Sequence, residues 1–373
     1  MTSPARTFLS SEDTSDAEWR WQAQHTIRTS KDLESHLDLS AEERCGVQNA
    51  LAHGMPLAIT PYYLSLCDPK DPRCPIRMQC VPTLRESSTI PGDLSDPLGE
   101  VAHEVAPFLV QRYPDRALLL VTDRCGVYCR FCTRSRMVGH GEGTLSLKAL
   151  EPAFAYLKSH PEIQELILSG GDPLIMSTPR IRQLIDSLSD IESLGNVRVA
   201  SRTPVTLPQR ITPELCLALR EHPASWLMTH FNHPKELTPE SKRACAMLVD
   251  HGIPVMNHTV LLRGINDNAA TLERLFRGLV QTRVKPYYLL QADPVKGTGH
   301  LRTPLSKGLS IMGQLQGRLS GIALPKFIVD TPGGKGKVPL LPNYVHAMAP
   351  GRTSLVTFRG EIVDYIDPTE FIQ

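Results

Sequence analysis

The 373 residues carry 40 Lys and Arg against 39 Asp and Glu, a net charge of +1, with 41% hydrophobic and 21% charged residues. That balance belongs to a globular chain with a sizeable core. It gives no basic patch for nucleic acid or an anionic membrane, and neither partner is expected. The longest apolar runs are strand-sized, so no transmembrane helix is expected either. The N-terminus, Met-Thr-Ser-Pro-Ala-Arg-Thr, lacks the charged-then-apolar layout of a signal peptide, and a cytoplasmic location is the expectation. Nine cysteines, an odd number unevenly spaced, argue against a disulfide framework.

Residues 1–15 are small and polar and read as frayed. From there to about residue 100, short helical patterns alternate with proline-rich turns. Ser40-Ala-Glu-Glu predicts a capping box that opens a helix running through Leu51. Residues 1–110 therefore read as a mainly helical accessory segment. A rhythm then sets in. Apolar runs at 118–122, 165–169, 197–201, 226–230, 254–262, 285–290 and 324–330 predict strands. Mixed-charge stretches at 148–159, 178–187, 213–221, 240–251 and 269–281 predict helices between them. Strands alternating with helices imply parallel βαβ units, hence an α/β chain. Six or seven units predict a partial TIM-like (β/α) barrel over 111–330, nearest to (β/α)6, followed by a short C-terminal segment, 331–373. A doubly wound open sheet is the alternative, though no G-x-G-x-x-G follows the first strand.

Cys125, Cys129 and Cys132 stand in a C-x3-C-x2-C spacing just after the first barrel strand. Thiolates suit zinc or an iron–sulfur cluster. Structural zinc takes four ligands, whereas here there are three in eight residues and no close fourth. Three thiolates on a 4Fe–4S cluster leave one iron open. A partial zinc knuckle, or three unconnected core cysteines, is the competing reading. Cys45, Cys67, Cys74, Cys80, Cys216 and Cys245 read as buried apolar residues.

Barrel chemistry gathers at the C-terminal ends of strands. The cysteine loop follows the first strand, and Ser169-Gly-Gly-Asp172 follows the second. Ser201-Arg202 ends the third, and His230-Phe-Asn-His ends the fourth. Asn257-His258 lies within the fifth, Asp293 follows the sixth, and Asp330 ends the seventh. One polar strand end is best read as a cap or turn; seven together are best read as a shared site. Asp330-Thr-Pro-Gly-Gly-Lys-Gly-Lys337 does not match the P-loop, because valine follows Lys337. Its lysines could bind phosphate, form a Schiff base with pyridoxal 5′-phosphate, or sit on a surface loop.

The cysteine spacing resembles that of the radical S-adenosylmethionine enzymes. Ala58-Ile-Thr-Pro-Tyr-Tyr, Pro75-Ile-Arg-Met-Gln, Arg112-Tyr-Pro-Asp-Arg116, Thr229-His-Phe-Asn-His-Pro and Val329-Asp-Thr-Pro-Gly-Gly-Lys-Gly-Lys narrow this further. With the cysteine loop they resemble the lysine 2,3-aminomutase family over most of the chain. The resemblance implies a 4Fe–4S cluster on Cys125, Cys129 and Cys132, S-adenosylmethionine, and pyridoxal 5′-phosphate on Lys337. It implies that Arg112, Tyr113 and Arg116 grip the latter cofactor. Gly170, Gly171, Asp172, Ser201 and Arg202 would contact the nucleotide. Arg134 would bind the carboxylate of an amino-acid substrate. An electron donor such as flavodoxin or ferredoxin is implied, and a homo-oligomer is compatible.

Two positions depart from the family pattern: Lys335, which could compete with Lys337, and His258, where relatives commonly carry glutamine. No cysteine follows Cys245, so the zinc site that some relatives carry in a longer tail is not expected. Asp293 and Asp330 match the pair that holds the distal ammonium in the lysine enzymes. Two carboxylates suit a cationic side chain and repel an acidic one. Lysine is the favoured substrate, with arginine open because a guanidinium pairs bidentately with carboxylate.

Overall fold

A set of short helices precedes the sheet: α1 (Asp16–Gln24), α2 (Ser30–Glu34), α3 (Ala41–His53), α4 (Pro61–Ser65) and α5 (Arg77–Cys80). The computed structural model describes residues 16–368 apart from 54, 142, 223 and 224, so the stretch read as frayed lies outside the described residues. The capping box forms as predicted: Glu43 N–H donates to Ser40 Oγ at 3.2 Å, and Ser40 N–H donates to the Glu43 carboxylate at 2.8 Å. That carboxylate also meets the fully buried Arg77 on both oxygens at 2.7 Å, while Asp38, Asp68 and Pro69 carbonyls take further N–H groups of the same guanidinium. The helices share one apolar cluster with the sheet, running from Ile27 through Tyr63 to Phe327. The N-terminal segment is thus packed on the barrel core.

Then come β1 (Glu104–Ala106), β2 (Leu109–Tyr113), β3 (Arg116–Thr122), α6 (Leu147–Ser159), β4 (Glu165–Gly170), α7 (Thr178–Ser189) and β5 (Asn196–Ala200). These lead into α8 (Thr203–Thr206), α9 (Pro213–Arg220), β6 (Ser225–Thr229), α10 (Pro239–Asp250), β7 (Val255–Leu261), α11 (Ala269–Gln281) and β8 (Lys285–Gln291). The sheet ends with α12 (Leu305–Leu315), β9 (Lys326–Asp330) and β10 (Lys337–Leu340). Strands β1 to β10 hydrogen-bond in chain order; β3 through β9 are parallel, and the outer pairs are antiparallel. The order never reverses, so there is no topological switch point of the doubly wound kind. The seven expected strands are β3 to β9. The crossover helices form where expected, because one face of each is apolar. In α11, Leu272, Leu275, Phe276 and Leu279 are buried at helical spacing. Each such side chain contributes roughly 1.5–3 kcal/mol on burial. Helix α12 and the strands flanking the parallel set were not anticipated.

The two ends of this sheet touch. Arg112 of β2 forms an ion pair with Asp330 of β9 at 2.6 Å, and the Tyr113 hydroxyl accepts from Lys337 N–H of β10 at 2.9 Å. Strands at opposite ends can meet only if the sheet curls round. The barrel is therefore closed on this side by side chains. A separate antiparallel sheet follows, β11 (Val345–Ala349), β12 (Arg352–Val356) and β13 (Ile362–Ile366). No helix among the described residues is long and apolar enough to cross a membrane.

The Glu43–Arg77 pair is almost wholly buried, at 4% and 0% side-chain exposure. Glu43→Ala would strand a guanidinium in the core, and is expected to destabilise the chain by about 3–5 kcal/mol. Chemical denaturation with circular dichroism measures this; a loss below about 1 kcal/mol would show that water reaches the pair.

Candidate active site

The turn between β9 and β10 sets up the first part of the site. Asp330 and Lys337 are register partners across this hairpin. Gly333, Gly334 and Gly336 have φ of +77°, +77° and +103°. A Cβ on Gly334 would lie 2.7 Å from the Leu98 carbonyl oxygen, so both conformation and space demand glycine there. The Thr331 N–H and hydroxyl close the turn on the Gly336 carbonyl at 2.9 and 2.7 Å. Lys337 Nζ reaches Asp330 Oδ2, while Lys335 is exposed on the turn. The fold thus separates the two lysines: Lys337 faces Asp330, Arg112 and Tyr113. Arg116 lies beside them, its guanidinium 4.4 Å from the Tyr113 ring centre and 3.1 Å from Asp115.

Burial pushes the Asp330 carboxyl up, but the Arg112 hydrogen bond and the Lys337 charge outweigh it and hold it below the usual range. Asp293, in the loop after β8, behaves oppositely. Burial, and then repulsion from Asp330, push its carboxyl up to about 7. The two carboxyl groups are thus close enough to repel, Asp330 held ionised and Asp293 shifted toward its neutral form. His258 of β7 stacks on Tyr288 and Tyr287 with ring centres 5.3 and 5.7 Å away. Its Nε2 is buried without a hydrogen-bond partner. Burial, then His230 and Lys337, keep this imidazole neutral, well below its ordinary pKa.

The second part is the loop after β3. Cys125, Cys129 and Cys132 are free and partly exposed. Burial raises all three thiols, that of Cys132 to about 11, and each of Cys125 and Cys132 also feels Cys129. Among the described residues no set of three or more His, Cys, Asp or Glu closes on one metal ion. Three neighbouring thiols of one loop suit the irons of a larger cluster.

Cys129 has a specific partner. Arg202 Nη1 donates to its sulfur at 2.8 Å, and Arg202 Nε donates to the His230 carbonyl at 3.1 Å. Arg202 Nη2 donates to the Tyr63 hydroxyl at 3.0 Å, Gln79 Oε1 at 2.5 Å and Glu236 Oε1 at 2.7 Å. The ring centres of Tyr63 and Phe131 lie 5.3 and 5.4 Å from the guanidinium carbon. Glu236 is fully buried, its second oxygen taking Asn232 and His233 N–H at 2.6 and 2.9 Å. The sequence offered Tyr63 and Gln79 only within motifs, and Glu236 not at all.

Gly170 and Gly171 serve the protein's own backbone. A Cβ on either would lie 2.3 Å from the carbonyl oxygen of Thr122 or Arg124, at the root of the cysteine loop. Asp172 accepts from Ser201 Oγ at 2.6 Å, Arg202 N–H at 2.9 Å and Leu174 N–H at 3.1 Å. These residues tie the ends of β3, β4 and β5 together. Arg134 donates through Nε and Nη2 to Glu100 Oε1 at 2.9 and 2.6 Å, and through Nη1 to Ser169 Oγ at 3.1 Å. Its positive charge reaches Asp293. Glu100 carried no signal of a role in the sequence, and Ser169 only that of its place at a strand end.

Cys129→Ala is expected to bring iron and sulfide to background after anaerobic reconstitution, while Cys45→Ala, on the exposed surface, keeps the wild-type content. Equal iron in the two would remove Cys129 from the ligand set.

Comparison with known proteins agrees with this geometry. Residues 119–275 match the Radical SAM superfamily, and residues 312–373 match the family described as Lysine-2,3-aminomutase. The L-lysine 2,3-aminomutase of Fusobacterium nucleatum is 46% identical over 95% of this chain and 83% of its own length. That of Clostridium subterminale is 45% identical over 96% and 87%, and the glutamate 2,3-aminomutase of Clostridioides difficile is 38% identical over 94% and 82%. With such identity along nearly its whole length, this chain belongs to the lysine 2,3-aminomutase family of the radical S-adenosylmethionine superfamily.

Proposed function

We propose that this protein moves the α-amino group of L-lysine to C3, giving β-lysine. The observation that carries the substrate is the convergence of Asp293 and Asp330 beside Lys337. Asp330 is neutralised by two cations, Arg112 and Lys337. With Lys337 committed to pyridoxal phosphate, Asp330 would keep Arg112 and be open to a substrate ammonium, with Asp293 as the second carboxylate. An acidic side chain would face two carboxylates here and be repelled.

The donor sets fit the groups the family uses. Cys125, Cys129 and Cys132 would hold the 4Fe–4S cluster, with Arg202 steadying Cys129. Lys337 would hold pyridoxal phosphate. Arg112, Tyr113 and Arg116 lie beside it for the phosphate and ring, and the orphaned Nε2 of His258 is a neutral hydrogen-bonding group inside the barrel. Gly170, Gly171, Asp172, Ser201 and Arg202 would shape the ledge for S-adenosylmethionine, by packing the strand ends tightly. When bound, the cluster and S-adenosylmethionine supply an organic radical, and pyridoxal phosphate supplies a conjugated system that delocalises an unpaired electron. The chain's part is to orient lysine between Arg134, at the carboxylate, and Asp293 with Asp330, at the distal ammonium. Fixing both ends of a flexible molecule leaves C2 and C3 in one place.

We also read 111–330 as a (β/α)6-type barrel with β9 as an added strand, 1–110 as its buttress, and 331–373 as the lysine loop and its extension. A reduced flavodoxin or ferredoxin is the electron donor we propose, in a reducing cytoplasm that keeps the three thiols free.

Three measurements test this reading. Reconstituted protein with dithionite, S-adenosylmethionine and pyridoxal phosphate is expected to convert L-lysine, and neither L-arginine nor L-glutamate, to its β-isomer. β-Arginine as the product would keep the mechanism and overturn the substrate. Lys337→Ala is expected to lose the absorbance that forms on adding pyridoxal phosphate; retention would move that role to Lys335.

The third concerns pH. A carboxyl with a pKa near 7 is neutral below it, and only the ionised form attracts a cation. L-lysine affinity is therefore expected to rise up to about tenfold per pH unit below pH 7 through this group, and to level off above it. Asp293→Asn should remove that component from a spectral titration; an unchanged profile would take Asp293 out of the pocket.

A further inference from the structure

Arg134 is held by more than its own loop. A guanidinium has five N–H groups. On Arg134, Nε and one Nη2 hydrogen point at Glu100 Oε1, and one Nη1 hydrogen goes to Ser169 Oγ. One N–H on each terminal nitrogen is left, and such charged donors suit carboxylate oxygens. Glu100 is 3% exposed, and its other oxygen accepts from Arg136 Nη2 at 3.1 Å. Arg136 is itself 3.4 Å from Asp96, so two guanidinium groups and two carboxylates balance.

The stretch that carries Glu100 touches the other parts of the site. Leu94 N–H donates to the Pro294 carbonyl at 2.8 Å, and Lys296 N–H donates to the Leu94 carbonyl at 3.1 Å, beside Asp293. Gly333 N–H donates to the Pro97 carbonyl at 2.9 Å, in the turn before Lys337. Gly99 approaches so closely that a Cβ would lie 2.9 Å from the Gly333 carbonyl carbon. One strap, 94–100, thus contacts the loops of Arg134, Asp293 and Lys337.

We propose that Glu100 is a positioning residue: it occupies the Nε edge of Arg134, leaves the outer edge for the substrate carboxylate, and sets its distance from the Asp293–Asp330 end. This rests on the reading of Arg134 as the carboxylate-binding group. The opposing effect is Coulombic. Removing Glu100 leaves more positive charge to attract an anion. Positioning prevails, because a bidentate pair needs a fixed fork and a released Arg134 is free to swing away from Arg136.

The test uses holoenzyme titrated with L-lysine and with cadaverine, which has both amines and no carboxylate. Glu100→Ala is expected to weaken L-lysine at least tenfold and cadaverine by less than about twofold, with KM rising more than kcat falls. Glu100→Gln, which keeps an acceptor oxygen, is expected to restore most of the loss. Should Glu100→Ala fail to fold, Glu100→Gln carries the same comparison with a smaller selective loss. Tighter L-lysine binding in either variant, or equal weakening of both ligands, would overturn the proposal. An Arg134→Gln variant that binds L-lysine like the wild type would overturn the underlying reading, and this proposal with it. Weakening by Arg134→Gln alone, with Glu100→Ala silent, would overturn this proposal only.

Discussion

The contact on which the site depends is the ionic seam between Arg112, Asp330 and Lys337. A sheet with antiparallel strands added at both ends cannot close by a continuous parallel ladder, yet β2 and β9 are brought together by one guanidinium on one carboxylate. The seam is only partly open to water, with Arg112 at 11% and Asp330 at 7% exposure. Its charges therefore interact more strongly than a surface pair would. The same carboxylate serves closure and chemistry. It joins the two ends of the sheet through Arg112 and holds the amine of Lys337, the proposed cofactor lysine. That economy explains why Asp293, lacking such partners, has a raised pKa while Asp330, a short distance away, does not.

A second constraint works from below. Arg202 is a buried cation whose neighbours come from four places in the chain: Tyr63 and Gln79 in the N-terminal segment, Cys129 in the loop after β3, His230 after β6, and Glu236 beyond it. Burial alone would lower its pKa, but Cys129, Tyr63 and Glu236 more than offset this, so the charge is retained. An unpaired charge at this depth would be costly, so each partner is needed to keep the others. The N-terminal helices are therefore part of the site's architecture. They supply the polar floor under the cysteine loop.

Much of this was legible in the residue order. The parallel strands were readable as short apolar runs, such as Ala-Leu-Leu-Leu-Val in β3, and the crossover helices because burial imposes a period of 3.6, which α11 shows plainly. The Ser40 cap was readable because its partners are three residues apart. The cysteine spacing and the Gly-Gly-Lys-Gly-Lys turn were readable because their chemistry is local. Glu100 and Glu236 were not, and Ser169 only as a residue at a strand end. Each acts through a partner 34 or 35 residues away, and nothing in their neighbours reports it. The edge strands β1 and β10 were also silent, being short and too exposed to carry a clean alternation.

The sequence by itself determined the α/β class, the family, the three thiols and the pair of candidate lysines, since spacing and residue type suffice for these. The family resemblance already pointed to Lys337 rather than Lys335; what the tertiary structure adds is that the β9–β10 register places the Lys337 amine against Asp330. Only the tertiary structure decided that Gly170 and Gly171 make room for backbone, that Arg202 supports a thiol, and that Arg134 is braced by Glu100. Those assignments rest on distances between residues far apart in the chain, and such distances exist only once the sheet has curled and its seam has closed.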